Sequence, residues 1–410
     1  MRQSFGPVTR YFSRRTLGAC AALAVSAFIA GCTTPPPPQK ATTTPTTPAP
    51  STETVVKKVD PDAPVTVALL APTTATSDRA RGAAQDMAAA AQMARADFAP
   101  ANLLLKVYDT RGTPEGAAAA AAQASAEGAA LILGPLFAPT TTAVAPVAKE
   151  NGLNVLSFSS DSSVAGENVW VLGALPSDEL RRVLSYAASQ GVTQAALFYP
   201  ENPYGQRIAS TAGEVARGAG IGMGPQVSYP RTFKGIEAAS SPAAEAILAS
   251  GSDAVVIADA GKALRSAAAF LNYYDVAPRD VKYLGLSRWA DPANANENSL
   301  EGAWFAAPDP QLRTAFAQDF KDEMGRVPTP LAGIAYEAMT AAAAMLNDAK
   351  QANVAPFGAD AITRARGFDG VAGPFTLTGD GENRRSLAIM EVTKGGLVVI
   401  DPAPTRAPAS

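Results

Sequence analysis

The stretch Leu131-Ile132-Leu133-Gly134-Pro135-Leu136, continuing as FAPTTTAVAPVAKENGLNVLSFSSD to Asp161, sets the reading of the fold. A short apolar run over Ala130–Leu133 opens into a Gly-Pro turn. A helical segment over Thr140–Glu150 follows, then a second apolar run over Asn154–Phe158. Two buried strands joined by a helix make a β-α-β unit, which implies neighbouring parallel strands.

The same rhythm extends toward the N-terminus. Val65–Leu70 predicts a strand, Ser77–Phe98 an Ala-rich helix capped by Ser77 or Asp78, and Leu103–Tyr108 a strand. Pro114–Glu127 predicts a further helix. The rhythm then restarts with helix Asp178–Gln190, strand Ala195–Tyr199, helix Tyr204–Gly218, strand Ala254–Ala258, helix Lys262–Tyr273 and strand Lys282–Gly285. Two helices, Pro310–Met324 and Pro330–Lys350, precede a β-rich close over Gly373–Leu377, Ser386–Val392 and Leu397–Ile400. The expected class is α/β, with two lobes that are each a doubly wound, mostly parallel sheet. The 410 residues suit two lobes plus unfolded extras.

The first residues read as an address. Arg2, Arg10, Arg14 and Arg15 precede an apolar run from Leu17 to Ala30, too short for a comfortable membrane span of ~20 residues. The run ends in Phe28-Ile29-Ala30-Gly31-Cys32, which resembles a bacterial lipobox and marks Cys32 for lipidation. Residues 1–31 are the expected signal peptide. Ser13-Arg14-Arg15-Thr16-Leu17 also resembles a twin-arginine export signal. Residues 32–64 are the expected anchor and tether, rich in Thr and Pro and poor in anything to bury. About 31 residues of extended polyproline II chain reach ~96 Å.

Composition excludes several functions. Histidine is absent, which removes the usual general base and the commonest metal ligand. The two cysteines, Cys20 and Cys32, both precede the tether, so the folded part holds no disulfide and no thiolate metal site. A net charge of −3 gives no nucleic-acid surface. The Gly-rich GAGIGMG at 218–224 lacks the Lys-Ser/Thr of a phosphate loop and does not directly follow an expected strand. Asp178 and Glu179 read as charges favoured at a helix start. The expectation is a protein without enzymatic activity and without a cofactor.

Segments 131–161, 196–209 (ALFYPENPYGQRIA), 251–271 (GSDAVVIADAGKALRSAAAFL), 304–339 and 368–392 together resemble the type I periplasmic-binding-protein superfamily, in its branched-chain-amino-acid receptor group. The GPL turn at 134–136, the run YAASQGVTQAALFYPENPYG and VIDPAP at 399–404 look most like the bacterial penicillin-binding protein activators. Larger members of that subgroup carry an additional N-terminal helical-repeat domain where this chain has its tether.

The resemblance implies inter-lobe crossovers, with lobe 1 at 65–175 and 302–350 and lobe 2 at 176–301 and 351–403. It implies an envelope lipoprotein facing the periplasm, and Thr33 in place of Asp favours the outer membrane. Its expected partner is a penicillin-binding protein, a murein synthase. The parent superfamily implies instead a receptor holding an amino acid or similar ligand for an ABC permease. In that case the ligand-binding residues are the hydroxyls of Ser159, Ser160, Ser162 and Ser163, the ring of Tyr204 and, for an ammonium, Asp259. The resemblance implies that the first lobe holds the ligand through the loops Gly134–Pro139 and Ser157–Ser163. The bland alternatives are a self-capped Ser-rich loop, a helix start at Asn202-Pro203-Tyr204-Gly205 and a solvated strand end at Asp259.

Overall fold

The structure, a computed structural model, describes residues 57–352 and 354–408. The expected signal peptide, Cys32 and most of the expected tether lie outside the described residues. The last stretch of the tether does not hang free. Lys57 donates to Ala129 O and Gly152 O, and Asn102 holds Pro61 O and Ala63 O, so residues 57–64 lie against the first lobe.

The first lobe begins with β1 (Val65–Ala71), α1 (Asp78–Phe98), β2 (Leu103–Asp109), α2 (Pro114–Ala126), β3 (Leu131–Leu133), α3 (Ala138–Glu150), β4 (Val155–Ser157) and β5 (Val169–Val171). Its sheet runs β2-β1-β3-β4-β5, every pairing parallel. Side chains alternate across β1. Val67 and Leu69 face α1, whereas Ala68 and Leu70 face α2 and α3. Both faces are therefore apolar, as a sheet covered on two sides requires. Ser77 is the cap of α1, accepting from Ala80 N.

The second lobe continues with α4 (Pro176–Ser189), β6 (Gln194–Pro200), α5 (Pro203–Gly218), β7 (Gly222–Tyr229), α6 (Phe233–Ser250), β8 (Ala254–Ile257), α7 (Gly261–Tyr273), β9 (Lys282–Gly285) and β10 (Trp304–Ala307). The chain returns to the first lobe through α8 (Pro310–Met324), α9 (Pro330–Ala352), the short α10 (Ala359–Ile362) and a hairpin of β11 (Phe375–Leu377) and β12 (Asn383–Arg385). It ends in β13 (Ala388–Thr393) and β14 (Gly396–Asp401). The second sheet runs β14-β13-β10-β9-β8-β6-β7, with β13 and β14 antiparallel to their neighbours. Its parallel part repeats the strand order of the first sheet.

The chain thus crosses between lobes three times: after β5, after β10 and after β12. Two sequence-based boundaries need correction. Residues 302–307 were expected in lobe 1, but β10 pairs with β9 and β13 in the second sheet. Residues from 351 were expected in lobe 2, but Phe357, Ile362, Phe368, Phe375 and Leu377 fill the core beside α1 and α9. The close is accordingly split: β11 and β12 stay with the first lobe, and only β13 and β14 join the second.

Small residues set the spacing inside each lobe. Ala84, Ala91 and Ala94 of α1 meet Ala335, Ala338 and Ala342 of α9 in one core, where short side chains permit close approach. Asp86 of α1 is buried and accepts from Arg326 and from Thr329 N, which fixes the α8–α9 loop to the first lobe. In the second lobe, Trp289 is fully buried and lies directly over Gly285, donating to Ile257 O at 3.2 Å. A Cβ at Gly285 would stand 2.2 Å from the indole ring. Gly285→Ala is expected to lower unfolding free energy by roughly 1–3 kcal/mol, the usual range for overpacking, with an unchanged denaturant slope.

Candidate functional site

The C-terminal ends of strands in both sheets carry the loops that approach one another between the lobes. In the first lobe, the loops after β3 and β4 are joined by Phe158 N donating to Pro135 O at 3.0 Å. Gly134 turns the first of them with φ +84°, where a Cβ would meet Leu70 O at 2.6 Å. Ser157 Oγ and Thr141 Oγ1 share a buried hydrogen bond of 2.7 Å.

The serine loop after β4 is closed largely on itself. Ser159 is buried. Its N–H donates to Ser157 Oγ, and its Oγ accepts from Asp161 N at 3.1 Å. Ser163 donates through N–H and Oγ to Asp161 Oδ1, at 3.1 and 2.7 Å. Ser160 is exposed and Ser162 half-buried, and neither hydroxyl bonds to another described residue.

The second lobe presents α5. Asn202 caps it through Gly205 N at 2.9 Å, and Tyr204 follows in the first turn. The Arg288 guanidinium lies over the Tyr204 ring, 3.7 Å from its centroid. Burial pushes the Tyr204 phenol upward, and the charges of Glu179, Arg288, Asp259 and Arg207 act on it. Asp259 is buried and fully engaged. It accepts from Tyr229 OH at 2.9 Å, Arg231 Nε at 2.9 Å and Ala260 N at 2.7 Å. Its charge is already matched by Arg231.

Arg207, one turn along α5 from Tyr204, reaches across to Asp161 at 3.4 Å. This ion pair joins the serine loop of one lobe to α5 of the other. The structure therefore brings Ser159, Ser163 and Asp161 toward Tyr204 and Arg207. It turns Asp259 instead toward Tyr229 and Arg231. Both partners of the bridge are partly exposed, so it contributes ~0–1 kcal/mol and is a weak latch.

A second polar cluster, which the sequence reading did not assemble, occupies the crossings. Asp178 and Glu179 begin α4, but they are buried rather than solvated. Asp178 accepts from Arg385 N at 2.8 Å and from Arg181 at 2.9 Å. Burial nevertheless holds its carboxyl above the ordinary range. Glu179 accepts from Ser287 N at 3.0 Å and Ser287 Oγ at 2.6 Å. Burial pushes its carboxyl up from 4.5 to about 7, against the opposing pull of the Ser287 bonds. Arg385 pairs with Glu337 of α9 at 2.8 Å and donates to Leu172 O at 2.7 Å. Asn383 donates to Val171 O and Gly173 O. One signal for this cluster was available: Glu337 is a lone charge inside the apolar run LAGIAYEAMTAAAAML. Among the described residues, no group of three or more acidic, His or Cys side chains is placed to hold a metal.

Two α/β lobes with three crossings and facing loops define a two-lobed solute-binding scaffold. The chain belongs to the periplasmic binding protein family, whose profile matches residues 64–396. Among solved structures, it superposes on a branched-chain amino acid ABC transporter protein from Rhodospirillum rubrum with TM-score 0.68 and 16% identity, covering 82% of this chain and 99% of that one. A substrate-binding protein from Desulfitobacterium hafniense in complex with Leu superposes with TM-score 0.58 and 19% identity, covering 82% of this chain and 99% of that one. Among curated proteins, it is similar to penicillin-binding protein activator LpoA of Serratia proteamaculans (strain 568). They are 28% identical over 151 residues, 35% of this chain and 22% of that protein. It is also similar to LpoA of Pantoea ananatis (strain LMG 20103), 32% identical over 110 residues, 27% of this chain and 16% of that protein. The matches thus span about a fifth of those relatives or less.

The Glu179 environment gives a pH signature. Below about 4.5 the carboxyl is protonated in both folded and unfolded chains, and no penalty arises. Between 4.5 and about 7 the unfolded chain ionises while the folded chain keeps its proton, so stability falls as pH rises. The loss is complete above about 7 and amounts to roughly 3 kcal/mol. Denaturant unfolding across this window is expected to show a steeper decline in the wild type than in Glu179→Gln, which keeps only the contribution of Asp178, a carboxyl that burial also raises.

Proposed function

We propose that this chain is a non-catalytic envelope lipoprotein that activates a penicillin-binding protein, a murein synthase, using the binding-protein scaffold as an interaction module. The observation that carries this reading is that the cleft consumes its own polar groups. Asp259 is matched by Arg231, Asp161 by Arg207, and the Tyr204 ring is covered by Arg288. A free amino acid entering here would find the expected ammonium partner already neutralised. It would also have to displace a guanidinium from the aromatic ring. The partial similarity to penicillin-binding protein activators supports the same reading. Lipidation at Cys32, release of residues 1–31 and a tether reaching from the outer membrane belong to the proposal.

The second reading is a receptor that delivers an amino acid or similar polar ligand to an ABC permease. The free hydroxyls of Ser160 and Ser162, together with the fold shared with transporter receptors, favour it. In that reading Ser159, Ser160, Ser162, Ser163 and Tyr204 line the ligand, and Asp259 exchanges Arg231 for the ligand's ammonium.

The two readings separate in one experiment. The mature lipoprotein is mixed with a bifunctional murein synthase from the same organism, and glycan polymerisation and cross-linking are followed. A several-fold rise in synthase rate, saturating at stoichiometric lipoprotein, is expected. No change in rate, together with a leucine-dependent rise in melting temperature, would install the receptor. A ligand at one hundred times its dissociation constant adds ~2.7 kcal/mol of stability and is readily seen.

Fractionation tests the anchor. Cys32→Ser is expected to move the protein from the membrane to the soluble fraction. Membrane association unchanged in that variant would remove lipidation from the proposal.

A further inference from the structure

Beside the crossings, the start of α4 and the α8–α9 hairpin line a solvent-open cavity of about 430 Å³. Small-molecule sites commonly run to ~300–1,000 Å³. None of the residues read from the sequence as ligand contacts lines it. Its apolar wall includes Leu175 and Leu387 from the crossings, Phe316 of α8, Ile334 of α9, and Val371. Its polar wall is formed by Asp178, Glu179, Ser287, Thr329, Glu337 and Arg385.

Three buried carboxyl groups belong to the polar wall. Glu337 is paired with the buried Arg385 and Asp178 with the half-buried Arg181, which leaves Glu179 without an ion pair among the described residues. Arg313 also lines the cavity, but it is exposed and has no ion-pair partner among the described residues. Glu337 is occupied by Arg385 and by Ala372 N. Asp178 and Glu179 each accept one bond per oxygen, so each keeps acceptor capacity. A cation placed here would meet two carboxylates that burial now disfavours.

The wall also has donors to spare. The Arg385 side chain is 6% exposed, yet its Nε–H finds no partner among the described residues. The Thr329 hydroxyl is buried and equally unpartnered. Buried polar groups without partners are uncommon and call for an explanation. A complementary occupant has an apolar body, a cationic N–H donor for Asp178 and Glu179, and an oxygen acceptor for Arg385 and Thr329.

We propose that the hinge cavity is a ligand site, separate from the cleft, for a small apolar molecule whose head joins an ammonium to a carbonyl. Such an occupant touches both lobes at once. Asp178 and Glu179 belong to α4 of the second lobe, Ile334 and Glu337 to α9 of the first, and Leu175, Arg385 and Leu387 to the crossings. Any difference in its contacts between open and closed arrangements shifts the lobe equilibrium.

The test uses the mature lipoprotein and two probes with the same apolar body, leucinamide and 4-methylpentanoic acid. Leucinamide carries the ammonium and the carbonyl, whereas the acid carries only an anionic head. Calorimetry is expected to show saturable binding of leucinamide and none of the acid. Glu179→Gln removes one of the two carboxylates available to the ammonium and is expected to weaken leucinamide binding roughly tenfold or more. Ala317→Phe, from a position on α8 lining the cavity, fills it and is expected to abolish binding. Cooperative thermal melts establish that both variants fold. Intermolecular nuclear Overhauser contacts from leucinamide to the Ile334 and Leu387 methyl groups would place it in the cavity. Absence of saturable leucinamide binding at millimolar concentration would overturn the proposal. So would equal binding of the acid, or leucinamide affinity unchanged in both folded variants.

Discussion

Arg385 and Glu337 form an ion pair with side chains 6% and 2% exposed, at the place where the chain passes between its lobes. Taking both charges out of water is costly, and the pair is tolerable only because further hydrogen bonds surround it. Leu172 O accepts from the guanidinium, Ala372 N donates to the carboxylate, and the Arg385 backbone N–H is held by Asp178. Those partners lie on the first crossing, the approach to the β11–β12 hairpin and the start of α4. Removing one member strands the other charge in the interior, at a cost of roughly 3–5 kcal/mol. The first and third crossings are therefore tied to each other, and both to α9 through Glu337.

The front of the cleft is built differently. Asp161 and Arg207 meet across it in partly exposed positions, where an ion pair contributes little. The buried pair at the crossings and the exposed pair at the cleft thus differ widely in what breaking them costs. Deeper in, Arg288 lies over the Tyr204 ring and Arg231 pairs with Asp259. The polar groups that face the cleft are thus largely satisfied within the chain.

Local patterning made most of the fold legible. Apolar runs such as Val65–Leu70 and Ala254–Ala258 between Ala-rich helices announced parallel strands covered on both faces, because each run had to be apolar on both of its sides. The shorter or irregular elements escaped. β7 carries Gly222, Gly224 and Pro225, residue types that weaken a strand; its place at the sheet edge is what makes Pro225 acceptable. α6 carries Pro242 within its span, and β5 and β10 are only 3 and 4 residues long. Strands that short gain their identity from neighbours rather than from their own period.

What the sequence determined by itself was the α/β class, two successive lobes and the absence of histidine, because each depends on residues near one another or on composition alone. Only the tertiary structure decided which lobe owns residues 302–307 and 354–385, since a strand's sheet is chosen by hydrogen-bonding neighbours that are distant in the chain. It also decided the state of the charges. Asp178 and Glu179 looked like ordinary helix-start acids. Their partners Arg385 and Ser287 lie 207 and 108 residues away, and burial among those partners turned them into part of the hinge. Asp259 likewise looked available, until the fold set Arg231 and Tyr229 against it. A side chain's type and spacing state what it can bind, but the desolvation and pairing that govern its charge exist only once remote segments meet.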